Sequence, residues 1–263
     1  MTLRILNSAG LCGLLAAIFF VTGCGPLPGH PGPGPQVIRP EQVLDFSTLY
    51  KSNCAGCHGV NGSGGAAISL ANPIYLAVAG EDVMRGTVTK GVPGKLMPAF
   101  AKSAGGPLTD QQVNALAHGM TQQWAAPVML SSENPPPYKS VLAGDGGRGK
   151  QAFGVFCASC HGQNGEGHQP GAKDTLQKVG SIVDPAYLDL ISDQGLRSIL
   201  IAGRRDQGMQ DWRGDANVPM TDQQITDIVV WIASKRTTNP GQPYPISTLN
   251  RHTDEPAHAK PQE

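Results

Sequence analysis

The chain has 263 residues, with 20 basic and 20 acidic side chains and a formal net charge of zero. Charged residues make up only 15% of it, so the composition favours neither a nucleic-acid partner nor electrostatic attraction to anionic lipid. Aromatic residues are scarce at 5%, whereas 34 glycines and 22 prolines predict short helices joined by turn-rich loops. An additional hydrophobic body inside the fold would compensate for such a small core.

The N-terminal segment, residues 1–23, is predicted to be an export signal that is removed from the mature chain. Arg4 supplies a positive charge before the apolar run Leu11–Phe20, which is shorter than the roughly 20 residues that a membrane span needs. The run closes with "VTGC", which resembles the bacterial lipobox and implies lipid attachment at Cys24. An uncleaved signal anchor is the alternative. Both interpretations predict a location outside the cytoplasm, on the periplasmic side, tethered to a membrane.

Three segments are predicted to lie outside the folded domains. Residues 24–40 form a linker rich in proline and glycine behind the anchor. Residues 127–140 form an interdomain linker that three consecutive prolines stiffen. Residues 237–263 form an extended C-terminal tail, which is either laid along a partner or disordered because it has little to bury.

Four of the six cysteines lie in two copies of one pattern, "NCAGCHG" and "FCASCHG". The copies contain Cys54, Cys57 and His58, and Cys157, Cys160 and His161. Cys-x-x-Cys-His is the spacing for attachment of haem c, because the two thiols reach both vinyl groups and the imidazole faces the iron. Structural zinc and a thioredoxin-like dithiol are the alternatives, but the first needs converging ligand pairs and the second a βαβ context. We therefore predict two covalently bound haems.

The two motifs belong to a longer internal repeat. Around the motifs the copies are offset by 103 residues, as from Cys54 to Cys157. Further on, "NPIYL" and "DPAYL" are offset by 112, and this register holds to the end of the repeat. The second copy therefore has nine additional residues, which we place between His168 and Gly180.

Helices are predicted at both ends of each repeat. Those before the motifs span roughly Glu41–Lys51 and Gly149–Phe156, with Tyr50 and Phe153 directed at the last helix. The last helices begin at two capping boxes, Thr109 with Gln112 and Thr221 with Gln224. Their apolar residues follow the i, i+3, i+4, i+7 spacing of one buried face: Val113, Leu116, Ala117 and Met120, and Ile225, Ile228, Val229 and Ile232. No segment shows sustained β alternation, so the predicted fold class is all-α.

One methionine at the same place in each repeat is the candidate for the second axial ligand of the iron. "MPAF" begins at Met97 and "MQDW" at Met209, and the offset of 112 makes the two equivalent. Met220 aligns with Leu108 and has no sulfur counterpart. A thioether opposite a histidine stabilises ferrous iron, which suits an electron carrier. His168 is the alternative, as a ligand or gate at the second iron.

These features resemble class I cytochrome c, and more narrowly the bacterial dihaem cytochromes with two tandem copies of that domain. The likeness covers residues 41–126 and 141–236, which we predict to be the two domains. Each is expected to be a few short helices and long loops around a covalently bound haem. The resemblance implies thioether bonds at the four motif cysteines, proximal ligands His58 and His161, and distal ligands Met97 and Met209. The first copy lacks the Gly-Asp opening found at Gly144 in the second.

The expected function is electron transfer rather than catalysis. A membrane-tethered dihaem cytochrome would carry single electrons between a membrane donor complex and a terminal acceptor of a respiratory or photosynthetic chain. Its partners would be redox proteins, and no small-molecule substrate is expected. A fixed cytochrome subunit of a larger oxidoreductase is compatible with this hypothesis. The alternative is a haem enzyme similar to a dihaem peroxidase, in which one iron has an open or exchangeable site.

Overall fold

The computed structural model describes residues 34, 37–125, 134–168, 179–214 and 218–237. Within these ranges the regular elements are helices, and paired extended backbone occurs as isolated bridges. The prediction of an all-α fold is confirmed for this part of the chain. The predicted signal, the lipobox Cys24 and the C-terminal tail beyond residue 237 lie outside the described residues.

Four α-helices belong to the first repeat. They are α1 (Phe46–Asn53), α2 (Ala55–His58), α3 (Pro73–Lys90) and α4 (Asp110–Trp124). Short 3-10 helices lie at Pro40–Gln42 and Lys102–Ala104.

The second repeat has the corresponding elements, with the third helix in two parts. They are α5 (Gly146–Phe156), α6 (Ala158–His161), α7 (Pro185–Leu190), α8 (Asp193–Ala202) and α9 (Asp222–Ala233). A 3-10 helix lies at Arg205–Gln207. The break between α7 and α8 falls where Gly80, with φ of +73°, interrupts the helical backbone of α3. The aligned residue Ser192 caps α8 by accepting a hydrogen bond from the Gly195 amide at 3.0 Å.

The helices before the haem motifs start elsewhere than the sequence predicts. The first begins at Phe46, five residues late, because the Asp45 carboxylate caps it by accepting from the Thr48 amide at 2.7 Å. The second begins at Gly146, three residues early, because Asp145 accepts from the Arg148 amide in the same way. An aspartate cap therefore decides both starts.

The predicted starts and buried faces of α4 and α9, the last helix of each repeat, are confirmed. Both capping boxes are complete, with side chain and backbone bonded reciprocally at each Thr and Gln pair. All eight apolar residues predicted for the buried stripes are buried. In each repeat this helix packs against the helix before the haem motif. The predicted aromatic contacts are present, with ring centroids 4.9 Å apart for Tyr50 and Trp124 and 4.4 Å apart for Phe153 and Trp231.

Residues 1–40 and 41–263 separate into two units. Within the second unit the two repeats pack on each other through α3 and α8. Their buried apolar side chains form one continuous cluster. The two repeats therefore have a fixed arrangement, with one haem motif in each.

Candidate haem sites

The first haem motif is a helical turn between two longer segments. Cys54 ends α1, donating its amide to the Tyr50 carbonyl at 2.8 Å, and also precedes α2. Cys57 and His58 are the last two residues of α2. The Tyr50 hydroxyl donates to the Gly59 carbonyl at 2.9 Å, on the far side of the motif. The backbone that carries both thiols is thus held from each end.

The turn that follows the motif requires glycine. Gly59 has φ of +83°, and a Cβ there would lie 1.7 Å from the carbonyl oxygen of Ser63. Gly162 occupies the same place in the second repeat with φ of +79°. In both repeats the loop turns back to the motif, where the amides of Ala67 and Gly167 donate to the carbonyls of Cys57 and His161 at 2.9 and 2.8 Å.

The His58 ring has a partner that fixes its tautomer. Its Nδ1 lies 2.8 Å from the carbonyl oxygen of Ile68, so Nδ1 carries the proton and donates it. Nε2 then carries the lone pair that a metal requires. Burial lowers the pKa of His58, the Ile68 carbonyl opposes this effect, and the positive charge of Arg204 adds to it. A neutral imidazole oriented in this way fits the proximal side of a haem.

The second motif has the same backbone but a different histidine environment. Cys157 is buried at the start of α6, and His161 ends that helix. The Nδ1 of His161 is buried without a hydrogen-bond partner among the described residues, as is the Nδ1 of His168. Burial lowers the pKa of His161, and the nearby His168 adds to the effect. His168 therefore lies close enough to remain an alternative second-site residue.

The ends of the predicted insertion lie together. His168 and Val179 exchange two backbone hydrogen bonds, of 2.9 and 3.1 Å, across residues 169–178, which lie outside the described residues. A serine hydroxyl then donates to an equivalent glycine carbonyl in both repeats, Ser69 to Gly62 and Ser181 to Gly165. The two serines are offset by 112 residues and the two glycines by 103. The nine additional residues therefore lie between the glycine and the serine of the second repeat, as the sequence predicts.

The cysteines fit haem attachment better than either alternative. All four motif cysteines are free of disulfides. Burial raises the pKa of Cys54 to about 11 and that of Cys157 to about 12, with smaller contributions from Cys57 and Cys160. Reactive dithiols instead have lowered pKa values. No group of three or more His, Cys, Asp or Glu side chains suited to a metal ion occurs in the described ranges, so zinc has no site there.

The two candidate methionines lie in equivalent loops. Gly91 and Gly203 end α3 and α8 with positive φ, and a Cβ on either would lie within 2.7 Å of the methionine carbonyl. The amides of Val92 and Arg204 donate to the carbonyls of Met97 and Met209 respectively, both at 2.9 Å. Both methionines are partly buried, packed against the core. A cavity of about 440 Å³ opens beside Met209, whereas Met84, Met120 and Met220 are buried packing residues.

The side chains that connect the repeats are not predicted from the sequence. Arg204 and Asp206 of the second repeat contact the loop after the first haem motif, and Asn72 of the first repeat contacts the end of α8. One signal is visible when the repeats are aligned, since Arg204 and Asp206 replace Val92 and Gly94 in a loop that begins with glycine and ends with methionine in both repeats.

Two family models match separate parts of the chain. The model described as cytochrome c matches residues 147–235, and the model described as cytochrome C oxidase, cbb3-type, subunit III matches residues 41–118. Together with the helical fold and the two motif histidines, these matches define the class. The chain is a dihaem c-type cytochrome with two tandem class I cytochrome c domains, and it binds two haem c groups covalently.

Two curated proteins to which the chain is similar are subunits of cbb3-type oxidases. It is similar to a cbb3-type cytochrome c oxidase subunit FixPc of Rhizobium leguminosarum bv. viciae, at 27% identity over 54% of this chain and 47% of that protein. It is also similar to a cbb3-type cytochrome c oxidase subunit CcoP of Rubrivivax gelatinosus, at 30% identity over 63% of this chain and 47% of that protein. The chain thus spans about half the length of these curated relatives. A solved chain of the Kuenenia stuttgartiensis reducing HAO-like protein complex Kustc0457/Kustc0458 superposes with a TM-score of only 0.43 at 16% identity, covering 77% of this chain and 99% of that chain.

Proposed function

We propose that this cytochrome carries single electrons between a membrane donor complex and a terminal acceptor, as a subunit or partner of a respiratory oxidase. The names of its relatives, which are subunits of cbb3-type oxidases, support this assignment. Haem c supplies reversible one-electron chemistry between ferric and ferrous iron. The polypeptide contributes the covalent attachment, the axial ligands and the surroundings that set each potential.

The proposed ligand sets are His58 with Met97 and His161 with Met209, and the thioethers are at Cys54, Cys57, Cys157 and Cys160. The observation that carries this proposal is the equivalence of the two repeats. In each, a histidine ends the motif helix, buried at His58 and partly buried at His161, and a partly buried methionine lies in a glycine-bounded loop. Two irons with complete ligand sets leave no position for a substrate, which favours electron transfer over a haem enzyme.

Replacing each methionine separately tests the ligand sets. Methionine sulfur gives ferric haem c a weak far-red absorption band, so we expect Met97→Ala and Met209→Ala each to remove about half of it. Met220→Leu is the matched control and should leave the band unchanged, because this side chain is buried in the core.

A Met209→Ala protein that keeps the whole band would contradict the assignment at the second haem. The neighbouring His168 would then be the candidate ligand, and the haem-enzyme alternative would become the better explanation.

The proposal includes export and attachment to a membrane by lipid at Cys24. Its support is the lipobox-like sequence that ends at Cys24. In the described ranges, none of the helices has the length and hydropathy of a membrane span. We expect Cys24→Ser to release the holoprotein from the membrane fraction and to abolish incorporation of labelled fatty acid. Cys24→Ser protein that stays with the membrane would contradict the lipid anchor, and the uncleaved signal anchor would then apply. Salt-resistant copurification with an oxidase would indicate a fixed subunit rather than a diffusing carrier.

A further inference from the structure

Arg204 extends from the second domain to the haem-binding loop of the first. Its Nη2 donates to the Gly65 carbonyl at 3.1 Å, and the side chain is only 10% exposed. Gly65 lies directly on the first motif, because a Cβ there would be 2.2 Å from the carbonyl oxygen of Cys57. Only Gly65 therefore lies between the guanidinium and the backbone of the first haem motif.

Asp206 completes this contact. Its Oδ2 accepts from the Gly64 amide at 3.1 Å, while Oδ1 and Oδ2 accept from Nε and Nη2 of Arg204 at 3.2 and 3.1 Å. Arginine and aspartate therefore hold consecutive residues of the loop through one carbonyl and one amide. The aligned residues of the first domain, Val92 and Gly94, have no polar side-chain group that can do this.

The nearly buried charge of Arg204 also lies close to His58. The Gly65 residue to which Arg204 donates is packed on the His58 backbone, because a Cβ there would be 2.7 Å from the carbonyl carbon of His58. A positive charge at this place disfavours ferric iron bound to His58 more than ferrous iron, because the ferric state carries the additional positive charge.

We infer that Arg204 is a positioning residue that connects the second domain to the first haem loop. Its positive charge raises the reduction potential of the first haem. Asp206 fixes the guanidinium in place and partly opposes its charge. The inference rests on the proposed ligation of the first iron by His58 and Met97. The redox properties of the first haem consequently depend on the docking of the second domain.

Substitutions at Arg204 and Asp206 distinguish an effect of charge on the potential from an effect of loosening the loop. Arg204→Gln removes the positive charge and leaves Asp206 uncompensated, so the first haem should be reduced at lower potential. We expect about a tenfold shift in the reduction equilibrium, which is about 59 mV for one electron. Asp206→Asn should shift the same haem to higher potential. Loosening of the loop alone would move both variants in one direction.

The measurement is a spectroelectrochemical titration of the purified holoprotein. Titrating Met97→Ala, which should retain only the far-red band of the second haem, assigns the two potentials. Arg205→Gln is the matched control, because Arg205 is adjacent, 62% exposed and paired with Asp211 instead. It should leave the first haem within about threefold of the unmodified equilibrium.

Opposite shifts in Arg204→Gln and Asp206→Asn, confined to the first haem, would support the inference. Equal shifts, or none, would overturn it. If Arg204→Gln does not fold, Arg204→Lys, which should keep the potential, and Asp206→Asn carry the test. Absence of the far-red band from the unmodified protein would instead contradict the proposed ligation, and the two failures are therefore distinguishable.

Discussion

Two arginines at the same place in the two repeats have different partners. Arg85 pairs with Glu81 and Asp82 on its own helix, and its side chain is 37% exposed. Arg197 is only 6% exposed and pairs with Asp222. It also donates to the backbone carbonyls of the interdomain linker, to Pro137 from Nη2 at 2.6 Å and to Tyr138 from Nε at 3.1 Å. Arg197, unlike the aligned Arg85, therefore attaches the interdomain linker to the second domain.

This difference predicts unequal effects of the same substitution. We expect Arg197→Met to destabilise the holoprotein by about 2–4 kcal/mol, because it removes the donor to the Pro137 carbonyl and the cationic partner of Asp222. The Tyr138 carbonyl keeps a hydrogen bond from Gln194. Arg85→Met, the matched control, should cost less than about 1 kcal/mol, because its ion pairs are partly solvated and lie on one helix. Guanidinium denaturation of both variants measures the difference, and equal losses would contradict this account of Arg197.

At the scale of elements, the crossing of the first and last helices is built differently in the two domains. In the second, Gly149 of α5 lets α9 approach so closely that a Cβ would lie 2.0 Å from the Asp227 carbonyl oxygen and 2.9 Å from the Cβ of Trp231. The first domain has Phe46 at the position aligned with Gly149, and Gly119 opposite it in place of Trp231. The large residue and the glycine have exchanged helices, which preserves the packing volume.

The close approach in the second domain makes Gly149 sensitive to a single methyl group. We expect Gly149→Ala to lower the free energy of unfolding by at least about 2 kcal/mol, because the added methyl group would clash with the backbone of α9, which would have to move. Gly154→Ala on the same helix has open space around its Cβ and should stabilise by up to about 1 kcal/mol through helix propensity. Denaturation followed by circular dichroism distinguishes them. A neutral Gly149→Ala would show that the two helices are not in close contact.

At the scale of the whole molecule, Asn72 joins the domains while capping a helix. Its Oδ1 accepts from the amides of Ile74 and Tyr75 at 2.9 and 3.2 Å, and its Nδ2 donates to the carbonyl of Ala202 at 2.8 Å. The aligned Asp184 performs only the first role, accepting from the Tyr187 amide at 3.0 Å. An amide is needed where the cap must also donate across the domain boundary.

Exchanging these two side chains separates domain docking from helix capping. Asn72→Asp retains the cap but places a carboxylate next to the Ala202 carbonyl, and two acceptors repel each other. We therefore expect the free energy of unfolding to fall by about 1–3 kcal/mol. Asp184→Asn should change stability by less than about 0.5 kcal/mol. Calorimetry of the holoprotein measures both, and we expect Asn72→Asp to broaden or split the transition as the domains lose coupling. An unchanged single transition would argue against Asn72 as a docking residue.

Elements whose signals are local were predictable. Capping boxes and apolar stripes located the last helix of each domain, because caps and helix periodicity act within a few residues of chain. The helix before each motif was predicted, but its start was not. Aspartates at 45 and 145 compete with other polar residues for the cap, and only the backbone geometry shows which one is used.

The sequence by itself determined the class of this protein. Two Cys-x-x-Cys-His units, one repeat and two aligned methionines each depend on spacing along the chain, so no fold was needed to find them. Only the tertiary structure showed how the domains meet. Arg204, Asp206 and Asn72 act on partners that are 130 to 142 residues away in sequence, and no local pattern marks a contact of that kind. The physical reason is that such contacts depend on surfaces that exist only after both domains have folded.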